Sequence, residues 1–123
     1  MLQHASLEVP PDRIRDCVAF WALLGFTEMA PPPKLGGRFT WVEREGTQVH
    51  LIATDDQTAP AREGHVAVVA PDYDAALAAL HGAGLETREA TNAWNAPRRF
   101  VRCPAGHLVE VMSAPPYPPF PEA

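Results

Sequence analysis

Two pairs of potential metal ligands recur in this chain at an offset of about sixty residues. His4 lies in an opening strand pattern, and His65 lies in a similar pattern sixty-one residues later. His50 lies in a Val- and Ile-rich segment, and Glu110 lies in a comparable segment sixty residues later. A duplication brings equivalent positions together around a pseudo-twofold axis, so we expect three imidazoles and one carboxylate to converge. That set favours one divalent first-row metal ion, namely Fe, Mn, Co, Ni or Zn.

Each of these four residues has an ordinary interpretation when it is taken alone. A histidine near a terminus is usually solvated, and a lone glutamate on a terminal strand usually faces solvent. The placement of all four at one repeat offset favours the metal site. A bound metal with open positions chelates two substrate oxygens as a Lewis acid, so Glu110 is both a ligand and the candidate catalytic residue. His81 and His107 fall outside the repeat and are interpreted as surface or turn residues.

The elements that must position these ligands repeat as well. Each half opens with a strand pattern, and a Pro and an Asp then lead into a helix with an apolar stripe at three- and four-residue spacing. A glycine ends each helix, and three strand patterns follow. The predicted order is strand-helix-strand-strand-strand, over 2–9, 12–24, 26–29, 38–43 and 47–53, and again over 64–70, 72–83, 85–89, 98–102 and 107–112.

These patterns predict an α+β fold built from two βαβββ modules. We expect the modules to form one curved, eight-stranded mixed sheet with the helices on its outer face and the ligands on its inner face. Module one covers about 1–54, and module two covers about 64–113. The segment from about 55 to 63 is polar and lacks periodicity, which predicts a linker. The proline-rich tail, 114–123, predicts polyproline II structure.

Length and composition argue against several classes of function. A chain of 123 residues is of single-domain size, and two copies of a long repeat favour a closed pair of modules. A net charge of -5 argues against nucleic-acid binding, which needs a clustered positive field. No apolar run approaches a membrane span, and two cysteines make no disulfide framework. We therefore expect a cytoplasmic protein with reduced thiols and without nucleic-acid or membrane partners.

Three features resemble the glyoxalase/bleomycin-resistance/dioxygenase superfamily, whose members are also called vicinal oxygen chelate proteins. They are the strand histidines, the helix end Phe-Trp-Ala-Leu-Leu-Gly-Phe at 20–26, and Cys-Pro-Ala-Gly-His-Leu-Val-Glu-Val at 103–111. The last stretch resembles the family's Asp-Pro-x-Gly-x-x-x-Glu hairpin, with Cys103 in place of the Asp. The resemblance covers nearly the whole chain, and it is more specific for the fold than for the reaction.

The resemblance implies a role for each candidate ligand. His4, His65 and Glu110 match the first-, fifth- and last-strand ligands of extradiol dioxygenases and thiol-transferring fosfomycin-resistance enzymes. His50 matches the fourth-strand position, where glyoxalase I usually has Glu and methylmalonyl-CoA epimerase has Gln. A His there removes one negative charge and one potential base, which argues against glyoxalase I activity. The family also implies a homodimer whose sites are shared between chains.

Two functions from different classes remain open. The first is a metal-dependent enzyme that binds a small oxygenated molecule by bidentate chelation, as a lyase, an isomerase or a ring-cleaving dioxygenase. The alternative is a metal-free protein that sequesters a small molecule or drug, as bleomycin-resistance proteins do. Four ligands at symmetric places favour the enzyme. A thiol transferase is a third option, but it usually needs clear anion-clamping residues.

Four further residues are candidates for substrate binding. Trp41 is a candidate apolar wall of the site, although core packing is the commoner use of such a residue. Trp94 lies in a long loop between two predicted strands, which either covers the cavity or only connects the strands. Arg98 and Arg99 alternate across one strand, so at most one of them faces the site. That arginine either clamps a carboxylate or phosphate or forms a surface ion pair.

Overall fold

The computed structural model describes residues 1–56 and 59–122, and it confirms the predicted order of elements. The first half contains β1 (His4–Val9), α1 (Ile14–Leu23), β2 (Thr27–Met29), β3 (Phe39–Arg44) and β4 (Thr47–Ala53). The second half contains β5 (His65–Val69), α2 (Tyr73–Gly82), β6 (Thr87–Glu89), β7 (Arg98–Arg102) and β8 (Leu108–Met112). The predicted linker includes positions 57 and 58 and the predicted tail includes position 123, which lie outside the described residues.

The strands of the described residues form two mixed sheets of four, in the orders β1-β4-β3-β2 and β5-β8-β7-β6. In each sheet the first strand runs parallel to the last, and the other pairs are antiparallel. The register repeats as well, because Ser6 is paired with His50 and Ala67 is paired with Glu110. His4 lies two positions before Ser6, so it shares a face of the first sheet with His50. His65 lies two positions before Ala67, so it shares a face of the second sheet with Glu110.

The chain divides into two compact units, and apolar residues are buried within each of them. Unit 1 consists of Met1–Pro60 together with the hairpin tip Pro104–His107, and unit 2 contains the remaining residues. In unit 1 the buried ring of Trp21 packs edge-on against the rings of Phe20 and Phe26. The buried residues of unit 2 include Leu80, Val101, Val109 and Val111. Neither helix in the described part of the chain is long and apolar enough to cross a membrane.

Local chemistry sets the helix boundaries. A 3-10 turn at Pro11–Arg13 precedes α1, so the α-helix begins two residues after the predicted position. The chain leaves α1 at Gly25, whose φ of 88° is the left-handed conformation that glycine adopts without a steric penalty. The side chain of Asp72 caps α2 by accepting a hydrogen bond from the backbone nitrogen of Ala75 at 3.3 Å.

The hairpin tip between β7 and β8 depends on a glycine. Gly106 has a φ of 90°, and a Cβ atom built there would lie 3.0 Å from Cγ of Pro60. We predict that Gly106→Ala lowers the free energy of unfolding by about 1–2 kcal/mol, because the left-handed conformation is costly for alanine. Gly82→Ala is the matched control, since Gly82 is helical and its Cβ would meet no atom within 4 Å. Urea denaturation compares the two variants, and equal stabilities would contradict this account of the tip.

Candidate functional site

Three rings form a stacked column on one face of the first sheet. His50 is paired with Trp41 across β4 and β3, and their ring centroids are 4.0 Å apart with an angle of 3° between the planes. The ring of His4, from β1 on the other side of β4, stacks on His50 at 4.1 Å and 14°. The predicted apolar wall at Trp41 is therefore in direct contact with one candidate ligand.

The hydrogen bonds of His50 identify which of its nitrogens carries a proton. Nε2 lies 2.7 Å from Oε1 of Gln48, and this oxygen can only accept, so Nε2 donates. The amide nitrogen of Gln48 donates to the sulfur of Met29 at 3.6 Å, which fixes the orientation of the amide. Burial lowers the pKa of His50, and the nearby charge of His4 lowers it further. The neutral imidazole, which is the form that binds metals, is therefore favoured here.

The stack limits how His4 and His50 can bind one metal ion. An imidazole binds a metal through a lone pair in the plane of its ring, at about 2 Å. An ion midway between two parallel rings 4.1 Å apart would lie above both planes instead of within either. In the observed orientation the lone pairs of the two rings do not converge on one point, so joint coordination by His4 and His50 would require one of the rings to turn.

The carboxylate of Glu110 is buried in the second unit and is held at both oxygens. Only 5% of the residue is exposed. Oε1 lies 3.0 Å from Nε2 of His65, and Oε2 accepts a hydrogen bond from Nη1 of Arg98 at 3.1 Å. Glu110 and His65 therefore lie on one face of the second sheet, where their side chains are in contact.

The other nitrogen of His65 contacts a backbone carbonyl, which bears on how Nε2 meets the carboxylate. Nδ1 is 2.7 Å from the carbonyl oxygen of Glu63, which only accepts, so Nδ1 carries a proton. If the imidazole is neutral it has one N–H group, and the lone pair of Nε2 then points at Oε1 of Glu110. Two acceptors 3.0 Å apart need a shared proton or a metal cation between them.

The His65–Glu110 pair fits a divalent metal ion. Imidazole nitrogen and carboxylate oxygen are donors that first-row metals accept. A metal-binding histidine normally donates its other N–H group to an acceptor such as the carbonyl of Glu63, and a metal-binding carboxylate normally has a further partner such as Arg98. Within residues 1–56 and 59–122, no group of three or more His, Cys, Asp or Glu side chains is placed to hold a metal. The four-ligand set thus stays a prediction.

Arg98 connects Glu110 to the loop that precedes β7. Its Nε and Nη2 atoms donate to the carbonyl oxygen of Thr91 at 3.2 and 3.0 Å. Its guanidinium carbon lies 4.5 Å from the centroid of the Trp94 ring, within range of a cation–π interaction. The loop that contains Trp94, which the sequence offered as a possible cover of the site, is therefore linked to Glu110 through the side chain of Arg98.

Arg99 points away from this network. Its Nε donates to Oγ1 of Thr87 at 2.7 Å, and its Nη2 donates to the carbonyl oxygen of the same residue. It also pairs with the exposed Glu89. Of the two candidate arginines, Arg98 is the one that contacts Glu110.

Sequence reasoning missed Gln48, Phe100 and Arg88. Phe100 is paired with Glu110 across β7 and β8, and its ring meets the ring of His65 edge-on at 5.1 Å. The guanidinium carbon of Arg88 lies 5.1 Å from the centroid of the Phe100 ring. The two-residue period of a strand could have identified Gln48, because it places Gln48 and His50 on the same face of the sheet. The contacts of Phe100 and Arg88 could not be identified in this way, because they depend on the register between strands.

We predict that the metal-free chain loses stability as pH falls from about 7.5 to about 5.5, partly because of His50. Its pKa in the folded state is lowered from 6.5, so the unfolded chain takes up that proton more readily and the free energy of unfolding falls as pH drops through this value. NMR titration of the ring measures the pKa, and denaturation at each pH measures stability. His50→Gln should reduce the slope of stability against pH; an unchanged slope would contradict the assignment.

We predict that Arg98→Gln lowers the free energy of unfolding by about 3 kcal/mol, because it leaves the buried charge of Glu110 uncompensated. The two side chains are 15% and 6% exposed. As a control, Arg15→Gln removes an ion pair with Glu28 in which the side chains are 66% and 44% exposed, and it should cost less than about 1 kcal/mol. Chemical denaturation tests this difference, and equal losses in the two variants would show that Arg98 does not compensate a buried charge.

Known structures resemble the chain, although no protein-family model and no curated protein matches it. A glyoxalase family protein from Bacillus anthracis has a TM-score of 0.81 at 22% identity, covering 91% of this chain and 93% of that chain. A mutant fosfomycin resistance protein from Listeria monocytogenes, complexed with Mn(II) and a dihydroxypropylphosphonic acid, has a TM-score of 0.74 at 16% identity, covering 94% and 90%. A glyoxalase/dioxygenase from Nostoc punctiforme has a TM-score of 0.73 at 15% identity, covering 94% and 91%. The chain therefore has the fold of the glyoxalase/bleomycin-resistance/dioxygenase superfamily, as its motifs predict.

Proposed function

We propose that this protein is a metal-dependent enzyme that binds a small oxygenated molecule by bidentate chelation, as a lyase, an isomerase or a ring-cleaving dioxygenase. The observation that carries the proposal is the contact of His65 Nε2 with Glu110 Oε1 at 3.0 Å, which brings an imidazole nitrogen and a carboxylate oxygen, both donors that a divalent ion accepts, to one point. An imidazole of the first module, from His4 or His50, would complete a set of two histidines and one carboxylate. The Mn(II) complex of the structurally similar fosfomycin resistance protein supports the choice of a divalent ion.

The proposed chemistry assigns a part to each residue of the network. When bound, the divalent ion would supply Lewis acidity toward two neighbouring oxygens of the substrate. Glu110 would act as a ligand and as the acid–base group nearest to the substrate. Arg98 would orient Glu110 through its second oxygen, and the carbonyl of Glu63 would keep the metal-binding nitrogen of His65 free of its proton. Trp41 would form a flat apolar wall beside the first-module ligand.

The remaining parts of the proposal concern assembly and location. The family resemblance indicates a homodimer with sites shared between chains, and light scattering on the purified protein measures that state. The composition indicates a cytoplasmic protein, in which the buried thiols of Cys17 and Cys103 would stay reduced. Trp94 and Arg98 are proposed to border the substrate site, whereas Arg99 is bonded to Thr87 and is left out.

A metal-free binding protein is the second candidate, and one observation favours it. Arg98 already compensates the charge of Glu110, and protonation of His65 would satisfy the other oxygen without any metal. The stacked rings of Trp41 and His50 would then serve as a platform for a planar ligand. The two candidates differ in whether the chain binds a divalent ion.

We predict about one first-row metal ion per chain in protein purified without chelator or added metal, measured by elemental analysis. His65→Ala and Glu110→Gln should each lose this metal, because each removes one donor of the pair. His81→Ala is the matched control: its ring bonds Oγ1 of Thr87 at 2.8 Å in the same unit, and the variant should keep the metal.

Two results would contradict the enzyme proposal in different ways. Metal that stays stoichiometric in both His65→Ala and Glu110→Gln would show that the ligand assignment is wrong. A wild-type chain that takes up none of Mn, Fe, Co, Ni or Zn on reconstitution would favour the metal-free binding protein. Circular dichroism of each variant confirms that lost metal does not reflect lost fold.

A further inference from the structure

An open cavity of about 510 Å³ lies beside β6, at the edge of the second sheet. Arg88, Phe100 and Arg102 line it together with Leu85 and Leu108. We propose that this cavity binds an oxyanion, a carboxylate or a phosphoryl-type group, carried by the substrate, and that Arg88 is the specificity-determining residue. The assignment of this anion to the substrate rests on the proposed function, whereas the anion site itself does not.

On this face of the sheet, the guanidinium of Arg88 has hydrogen-bond donors that are open to a ligand. In the described part of the chain it forms no ion pair, and its guanidinium lies over the ring of Phe100. Arg98 is engaged by Glu110 and by the carbonyl of Thr91. Arg88 is exposed, and the planar fork of a guanidinium can bind two oxygens of an oxyanion at once.

The charge around Phe100 also favours an anion. The whole chain carries a net charge of -5, but Arg88 and Arg98 both lie near the Phe100 ring, at 5.1 and 5.8 Å. The carboxylate of Glu110 faces these two arginines, but its charge is compensated because it is buried in an ion pair with Arg98. Glu86 also lines the cavity and opposes the binding of an anion there, which provides a second test.

The register of the strands relates the cavity to the buried carboxylate. Arg88 is paired with Phe100, and Phe100 is paired with Glu110, on three neighbouring strands. Neighbouring strands lie about 4.8 Å apart, so the backbones of Arg88 and Glu110 are separated by about 10 Å. A small molecule could place its oxyanion at Arg88, its apolar middle on Phe100 and its oxygens near Glu110. The cavity falls in the range of about 300–1,000 Å³ that small-molecule sites occupy.

Calorimetric titration of the metal-free full chain with phenylphosphonate tests the anion site. Arg88→Gln should weaken binding by at least about tenfold, because it removes a charged donor to the oxyanion. Arg15→Gln, which removes the same charge from an exposed position of the first unit, should bind as the wild type does. Glu86→Gln should bind more tightly, because it removes the acidic group from the cavity lining.

The proposal is overturned if the wild type does not bind phenylphosphonate, if Arg88→Gln binds it unchanged, or if Arg15→Gln weakens it equally. The titration contains no metal, so its failure is separate from a failure of the metal site. Elemental analysis of Arg88→Gln completes the separation, since this variant should keep the metal content of the wild type.

Discussion

A buried carboxylate governs the arrangement of the second unit. A charge at 5% exposure must be compensated, and Glu110 is compensated by Arg98 at one oxygen and contacted by His65 at the other. Each partner is fixed in turn, Arg98 by the carbonyl of Thr91 and His65 by the carbonyl of Glu63. The site is therefore one connected network, and changing any member leaves a buried polar group without its partner.

The two modules share a backbone register but differ in chemistry at the same position of the sheet. His50 on β4 and Glu110 on β8 are each paired with an aromatic residue, Trp41 in one case and Phe100 in the other. In the first unit, burial favours a neutral ring that stacks on its neighbours. In the second unit, the same position carries a charge, and the arginine that compensates it also fastens a loop. The same sheet position therefore carries a neutral imidazole in one module and a carboxylate in the other, and each is a kind of ligand that a divalent ion accepts.

Most of the fold could be predicted from the sequence, because strand and helix periods are local properties. Within residues 1–56 and 59–122, the eight predicted strands and two predicted helices begin and end within two residues of their predicted positions. Contacts between side chains on neighbouring strands were harder to predict, because they depend on the register of the strands. Sequence alternation showed that at most one of Arg98 and Arg99 faces the site, but only the pairing of β7 with β8 shows that Arg98 meets Glu110. Arg88 carried no signal of its own, since its place over Phe100 follows from the pairing of β6 with β7.

Anomalous diffraction from crystals grown with Mn(II) would test most directly whether one cation lies between His65 and Glu110. A peak within coordination distance of Nε2 of His65 and Oε1 of Glu110, with Arg98 still bonded to the second oxygen, is the predicted result. Crystals with saturating Mn(II) that show no peak there, and in which the nitrogen and the oxygen stay at hydrogen-bond distance, would contradict it. The pair would then be held by a shared proton, and the fold would serve as a metal-free binding protein.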